Sequence, residues 1–336
     1  MYDIDGNTIE SAYSVSGDVL GDAYDIDGNK LGKYDISNVA SYFQTETLSV
    51  ASDINALSDD WQSFVFITDP HGNGNKNHSQ AIGLYLLDNT KASMIVLGGD
   101  YSVGYWSSAT EYSNYVSAFL NSGLVNNIYA IYGNHERPSS DSVTTSAKQY
   151  IYNDFLKDKN NITGILTDNY YYFDDTQKKM RYMFLNTSDG SDQYTMSSGQ
   201  LEWIAENVVM PSSEWSLVVI GHVNLVKMAN VTTANQTNGS SIVSAIENCN
   251  GTIVGYFCGH QHIDYTEKIG NFQYTTMLCD KFENTNYYNG ISVTDRVSGT
   301  DSEQAVSVIS INTSTKNVVV RRIGAGRQRT MSYSYS

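Results

Sequence analysis

The chain has 336 residues, 40% of them hydrophobic, and a formal net charge of −16 from 36 acidic and 20 basic side chains. It is long enough for one large domain or two smaller ones, and its negative field disfavours non-specific contact with nucleic acid or an anionic membrane. No apolar run approaches the roughly 20 residues of a membrane span, and the acidic N-terminus lacks the basic stretch and apolar core of a secretory signal.

The first 45 residues differ from the rest because one short acidic motif occurs in them twice. Tyr-Asp-Ile-Asp-Gly-Asn at 2–7 recurs at 24–29, a spacing of 24 − 2 = 22 residues. Asp-Gly-Asn between short β-prone runs is typical of tight turns and predicts one or two hairpins. A calcium loop is disfavoured because the twelve-residue pattern with its closing glutamate is missing. We therefore predict a small β-hairpin appendix at 1–45, which could attach the protein to a larger assembly, and a main domain at 46–336.

From about residue 60, apolar strands alternate with helices. Short runs rich in β-formers predict buried strands at 63–68, 94–97, 128–132, 217–220 and 253–257. Apolar residues at helical spacing predict helices at 79–90, 112–120, 147–156 and 198–208. Turn residues between β-prone runs predict hairpins at 170–185 and 305–323. Strands that alternate with helices, followed by a β-rich end, favour sheets packed face to face with helices outside.

Each of the five apolar strands runs into a polar cluster. In chain order the clusters are Asp69-Pro70-His71, Gly99-Asp100, Gly133-Asn134-His135-Glu136, Gly221-His222 and Gly259-His260-Gln261-His262. In open α/β sheets, ligand sites form at the carboxyl ends of strands, so the clusters could converge. Imidazole, carboxylate and amide oxygen are ligands for Mn, Fe, Zn or Ni ions. Five of the six histidines lie in these clusters, which favours a metal site over packing.

In this order, Asp-x-His, Gly-Asp, Gly-Asn-His-Glu, Gly-His and Gly-His-x-His resemble the motifs of the calcineurin-like metallophosphoesterase superfamily. The resemblance covers roughly residues 60 to 325. It implies a mixed α/β (α+β) fold, a four-layer αββα sandwich with two mixed sheets between helices. It also implies two divalent or trivalent transition-metal ions. One would be held by Asp69, His71 and His262, the other by Asn134, His222 and His260, with Asp100 between them.

The resemblance further implies hydrolysis of a small phosphorylated substrate, either a phosphomonoester or a phosphodiester. Hydroxide shared by the two ions would attack phosphorus in line, while the metals and nearby donors neutralise charge on the phosphoryl oxygens. His135 corresponds to the histidine that is not a ligand, and it would stabilise the phosphoryl group or protonate the leaving alkoxide.

One position separates the chain from two well-known branches of the superfamily. Val103 stands where phosphoprotein phosphatases carry the aspartate that orients the catalytic histidine, and where purple acid phosphatases carry a tyrosine ligand. Tyr101 and Tyr105 are out of register for that tyrosine. The chain therefore resembles neither branch, and the partner that orients His135 is unassigned.

Several weaker features leave alternatives open. His78 could border the substrate mouth or simply begin a helix, and Glu136 is favoured as a supporting or turn residue rather than a ligand. Residues 189–194 could form a substrate-side loop, although a surface loop is favoured. The three cysteines are odd in number and cannot form a closed disulfide framework, so we expect buried thiols at Cys249, Cys258 and Cys279.

A second hypothesis is a non-enzymatic module, associated with a phage or cell surface and built on a phosphoesterase fold. The repeat at 2–7 and 24–29, and the segment 322–327, motivate it by a weak resemblance to segments of phage tail-associated and gut-bacterial surface proteins. The complete set of ligand motifs argues against it, because a relaxed site should have lost at least one ligand. The expected location is either the cytoplasm or such a surface.

Overall fold

The computed structural model describes residues 23–24, 30–31, 34–37, 39–72, 78–138, 147–227, 236–281, 296–326 and 328–333. Within these ranges the helices are α1 (Ser41–Asn55), α2 (His78–Asn89), α3 (Thr110–Leu120), α4 (Ala147–Ile151), α5 (Ser198–Asn207) and α6 (Gly239–Glu247). A π-helical turn, Tyr152–Leu156, extends α4. None of the helices described is long and apolar enough to cross a lipid bilayer.

The strands are short, and most belong to two large sheets. They are β1 (Ala23–Tyr24), β2 (Lys30–Leu31), β3 (Trp61–Ile67), β4 (Ala92–Leu97), β5 (Ile128–Ala130), β6 (Thr163–Ile165), β7 (Tyr170–Asp175), β8 (Met180–Phe184), β9 (Ser216–Ile220), β10 (Thr252–Cys258), β11 (Tyr265–Ile269), β12 (Phe272–Thr276), β13 (Ala305–Asn312), β14 (Asn317–Gly324) and β15 (Arg329–Ser332).

The first large sheet has six strands in the order β15-β14-β13-β3-β4-β5. Strands β3, β4 and β5 run parallel, with Val65 opposite Ile95 and Ile95 opposite Ile128. Strand β13 pairs antiparallel with β3 and places Ile309 opposite Phe64. Most residues of β3 and β4 are buried, whichever face of the sheet they point to. This is expected for strands that are covered on both faces.

The second sheet has seven strands in the order β11-β12-β10-β9-β8-β7-β6. Strands β8, β9 and β10 are parallel, whereas the outer pairs β6–β7, β7–β8 and β11–β12 are antiparallel. The sheet is therefore mixed, like the first one.

Aromatic side chains join the two sheets across the interior. The Phe64 ring of the first sheet meets Tyr182 and Phe257 of the second edge to face, at centroid distances of 5.9 and 6.2 Å. Such contacts add about 0.5–1.5 kcal/mol each beyond the area that they bury. One core cluster contains residues of both sheets and of α1 to α3.

A second core cluster covers the outer face of the seven-stranded sheet. There Ile204 of α5 and Ile242 of α6 pack with Leu217 and Val219 of β9. Helices α1 and α2 lie on the outer face of the six-stranded sheet. The layers are helix, sheet, sheet and helix, which confirms the predicted αββα sandwich.

The described part of the predicted N-terminal appendix is small. Strands β1 and β2 pair antiparallel, and Tyr24 of the second motif copy lies in β1; the rest of that copy, at 25–29, and the first copy, at 2–7, lie outside the described residues. Ile36, Val39 and Phe43 belong to the main core, so the packed body begins before residue 45. The division at 45 stays a prediction.

Candidate metal centre

The five polar clusters meet at one edge of the sandwich. Parallel strands β3, β4 and β5 deliver Asp69, Asp100 and Asn134 from one sheet, and β9 and β10 deliver His222 and His260 from the other. Because the carboxyl ends of parallel strands share an edge, the predicted ligands converge there.

Five of the seven predicted ligands have a backbone conformation that L-amino acids rarely adopt. Values of φ are 52° at Asp69, 47° at His71, 57° at Asp100, 68° at His260 and 54° at His262. A non-glycine residue in this left-handed region is uncommon, and backbone strain of this kind is typical of functional sites, at about 1–3 kcal/mol per residue. The surrounding packing must therefore hold these five residues in place.

Two glycines allow the loops to approach this closely. A Cβ atom at Gly133 would lie 2.3 Å from the amide nitrogen and Oδ1 of Asp100. A Cβ atom at Gly259 would lie 2.2 Å from Asp69 Oδ2 and Thr68 Oγ1. No larger residue fits at either position without displacing an aspartate of the centre.

Asp69, His71 and His262 form the first group of donors. His262 Nε2 lies 3.3 Å from Asp69 Oδ1 and 3.0 Å from His71 Nε2. Two imidazole nitrogens and a carboxylate oxygen thus point at one position. This trio matches the residues that the sequence assigns to one ion.

Asp100, His222, His260 and Asn134 form the second group. His222 Nε2 lies 3.0 Å from Asp100 Oδ2 and 3.1 Å from Asn134 Oδ1. The donor atoms of Asp100, His222 and His260 all lie within 4.8 Å of one another. The two groups adjoin, because Asp100 Oδ2 is also 3.9 Å from His71 Nε2.

Backbone carbonyls orient two of the histidines. His71 Nδ1 lies 2.9 Å from the Ser102 carbonyl oxygen, and His222 Nδ1 lies 2.7 Å from that of Gly98. A carbonyl oxygen only accepts, so each Nδ1 carries the hydrogen. Each Nε2 therefore faces the carboxylates, which is the orientation of a metal-ligating histidine.

The burial of the two aspartates creates a demand for positive charge. Burial alone would raise the pKa of Asp69 and of Asp100, but His222 and the neighbouring histidines lower both pKa values below the ordinary range. Burial alone would lower the pKa of His222, yet Asp100 and Asp69 raise it to about 9. Burial lowers the pKa of His71 and of His260 to about 4. The pocket favours a cation next to its carboxylates.

Glu136 supports the site through the backbone, in agreement with its predicted role. Its Oε2 accepts from the amides of Asp100, at 2.8 Å, and Gly133, at 2.9 Å, and its Oε1 accepts from that of Tyr101 at 2.8 Å. One buried carboxylate thus ties the loop after β4 to the loop after β5.

The substitution Glu136→Gln is expected to weaken metal binding by about 10- to 100-fold, as loss of such supporting partners does. The amide has only one accepting oxygen, so its NH₂ group must face at least one backbone N–H donor. Glu111→Gln is the matched control, since among the described residues Glu111 accepts through Oε2, from the Val103 amide at 2.7 Å. Isothermal titration with Mn²⁺ measures both variants, and equal affinities would contradict the supporting role.

His135 lies at the mouth of the centre. Its side chain is 27% exposed, whereas that of His222 is 0% exposed. His135 Nε2 lies 3.8 Å from Asp100 Oδ2, and its backbone amide donates to Asp100 Oδ1 at 2.8 Å. One of its ring nitrogens also lies within 4.8 Å of a donor atom of His71 and of one of Asp100. Its greater exposure favours contact with substrate.

No carboxylate orients the imidazole of His135 within the described part of the chain. Its Nδ1 is buried and has no hydrogen-bond partner there. Val103, at the position of the missing aspartate, is 36% exposed. Aromatic rings flank His135 instead: His71 at 4.7 Å and Tyr105 at 5.8 Å between centroids. The sequence pattern did not reveal Tyr105, one of 26 tyrosines in the chain.

The loop after β8 also reaches the centre. The Tyr194 ring lies 5.6 Å from that of His260, so 189–194 borders the site and is more than the surface loop that the sequence favours. His78 begins α2 and packs against Phe43 of α1 at 5.7 Å, which supports its helix-start interpretation. Cys258 and Cys279 are buried as expected, whereas Cys249 is only partly buried.

A family model described as calcineurin-like phosphoesterase matches residues 63–264, more than half of the chain. Among solved structures, a dimetal phosphatase from Danio rerio is similar at 12% identity and a TM-score of 0.58, over 81% of this chain and 99% of that one. A putative 5'-nucleotidase from Staphylococcus aureus shows 15% identity and a TM-score of 0.39, over 82% of this chain and 55% of that one. A phosphatase from Mycoplasma pneumoniae shows 11% identity and a TM-score of 0.38, over 79% of this chain and 94% of that one. No curated protein matches the chain. At 12% identity, the similarity to the dimetal phosphatase shows the fold.

Proposed function

Because the chain belongs to the calcineurin-like phosphoesterase family, we propose that it hydrolyses a small phosphomonoester or phosphodiester at a centre of two transition-metal ions. The observation that carries the proposal is the pair of donor groups that adjoin at Asp100.

The residues present fit such a centre. The donors are imidazole nitrogens, carboxylate oxygens and one amide oxygen, a set that suits Mn, Fe, Zn or Ni. The proposed ligands are Asp69, His71 and His262 for one ion and Asn134, His222 and His260 for the other, with Asp100 shared. The 3.0 Å approach of His71 Nε2 to His262 Nε2 supports a cation between the two rings.

Bound ions of this kind supply a deprotonated water near neutral pH and polarise the phosphoryl oxygens. The protein's own part is to hold the reacting groups in place. The backbone amide of His135 donates to Asp100 Oδ1 at 2.8 Å. This bond fixes the backbone of His135, so the imidazole stays at the mouth. There His135 would donate a proton to the leaving oxygen or a hydrogen bond to the phosphoryl group.

Elemental analysis combined with a phosphoester assay tests the proposal. The purified protein is expected to hold up to two equivalents of metal and, with added Mn²⁺, to hydrolyse p-nitrophenyl phosphate or its bis ester. EDTA should abolish turnover and lower Tm, because a ligand that binds only the folded state stabilises it. Full metal content without turnover on a broad phosphoester panel would overturn the enzymatic proposal.

The alternative of a non-enzymatic surface module rests on the sequence repeat and on the segment 322–327. Nothing in the described ranges adds to it, and the converging donors speak against it. Glycan or cell binding by protein that holds no metal at physiological concentrations would favour it.

A further inference from the structure

A recess opens beside the proposed metal centre. Its volume is about 270 Å³, and its walls come from the loop after β4, the turn after β5 and the loop after β8: Tyr105, Arg137, Pro138, Ser191, Asp192 and Gln193. Whole-ligand pockets measure about 300–1,000 Å³, so this recess has room for one part of a small substrate. We call it the leaving-group recess.

Tyr105 forms the wall that separates the recess from the catalytic histidine. The residue is 48% exposed, and its ring lies 5.8 Å from the ring of His135 at an angle of 33°. The next residue, Trp106, is completely buried, and its amide donates to the Arg137 carbonyl at 3.0 Å. The backbone beside Tyr105 is therefore fixed, while the aromatic ring offers free surface to a ligand next to the reacting group.

Arg137 holds the opposite wall. Its Nη1 donates to the carbonyls of Ser188, Gly190 and Asp192 at 3.0–3.2 Å, and its Nη2 donates to that of Ser191 at 2.8 Å. Four carbonyls on one guanidinium give the loop a defined shape in advance of binding. The same bonds turn Nη1 and Nη2 towards the loop, so Arg137 serves to hold the loop.

The charge and chemistry of the walls restrict the occupant. Among the described residues that line the recess, Arg137 is the one cation and Asp192 the one anion, and the whole chain carries −16. A polyphosphate tail would meet a carboxylate and a single guanidinium that already donates to four carbonyls. An uncharged planar group would meet the face of Tyr105. Tyr194, which follows Gln193 in the same loop, places its ring 5.6 Å from that of His260.

We propose that the leaving-group recess binds a planar aromatic leaving group, such as an aryl or nucleobase-bearing group, which stacks on Tyr105 while its phosphoryl group lies at the metal centre. This inference rests on the proposed function and adds the substrate class. Stacking on an aromatic side chain contributes about 1–3 kcal/mol per base.

An aryl phosphate and an alkyl phosphate together test the aromatic recess. The kcat/KM of each variant is compared with that of wild type on the same substrate, so that the different intrinsic reactivities of the two substrates cancel. Tyr105→Ala is expected to lower kcat/KM for phenyl phosphate about tenfold, and for ethyl phosphate by less than about twofold. Tyr105→Phe keeps the ring and should match wild type on both. Val103→Ala, on the same loop but outside the recess lining, is the control for loop disturbance and should also match wild type.

A binding measurement gives a second readout that does not depend on turnover. Calorimetry on the metal-loaded protein should show phenylphosphonate binding about tenfold tighter than methylphosphonate, with the preference lost in Tyr105→Ala. Equal affinities, or equal losses of kcat/KM on both substrates, would overturn the aromatic recess. Absence of turnover with metals bound would overturn the proposed function, and the phosphonate comparison would still decide the recess.

Discussion

Replacing His135 by glutamine is expected to lower kcat by about 10²- to 10⁴-fold while the metal ions stay bound, because general acid–base groups contribute that much. The imidazole is more exposed than that of His222 and sits at the mouth, next to Asp100. The loss of kcat should be largest on an unactivated alkyl phosphate. Its leaving alkoxide is more basic than an aryloxide and therefore depends more on protonation by a general acid.

His78→Gln is the matched control for the His135 variant. His78 begins α2, packs against Tyr42 and Phe43 and belongs to neither donor group, so its replacement should leave kcat within about twofold. Elemental analysis of both variants completes the test. Loss of an ion from His135→Gln would mean that His135 is a ligand, an outcome that its distances to Asp100 and His71 allow.

The substitution Asp100→Asn should remove both turnover and metal. Asp100 Oδ2 lies between His222 Nε2, at 3.0 Å, and His71 Nε2, at 3.9 Å, so one carboxylate serves both donor groups. Neutralising it is expected to lower metal affinity by more than about 100-fold, since loss of even a supporting partner costs about 10- to 100-fold. Calorimetric titration with Mn²⁺ and the phosphoester assay measure the two effects.

The control for this change is Asp168→Asn. Asp168 is 46% exposed and pairs with Lys148 at 3.0 Å, so it shares the chemistry of Asp100 but not its position. We expect unchanged metal content and turnover for Asp168→Asn. An Asp100→Asn protein that still binds two ions with wild-type affinity would refute the bridging assignment.

The ligand loops could be predicted because their signal is local. Each lies directly after an apolar strand, and in parallel sheets that position alone brings Asp69, Asp100 and Asn134 to one edge. The leaving-group recess could not be predicted in this way. Its shape depends on four backbone carbonyls that accept hydrogen bonds from Arg137. Every residue has a backbone carbonyl, so the sequence does not indicate which ones an arginine will bind.

Helix α1 was missed for a different reason. Phe43, Thr47, Val50 and Ile54 recur at helical spacing and are buried, so a signal existed. The helix begins after Ala40, which provides no side-chain cap, and its first turn has no acidic residue. Helix α6, also missed, likewise starts without a side-chain cap at Asn238. Both helices are stabilised chiefly by the sheets on which they pack.

Strand β13 has a consequence for the order in which the molecule assembles. It lies beside β3 in the six-stranded sheet, with Ser307 opposite Phe66, although about 240 residues separate the two strands along the chain. A growing polypeptide therefore exposes one edge of β3, with its apolar Phe64 to Ile67, until β13 has been synthesised. A recombinant fragment cut at residue 264, where the family match ends, would keep every donor of the centre yet retain this unpaired apolar edge, which favours aggregation.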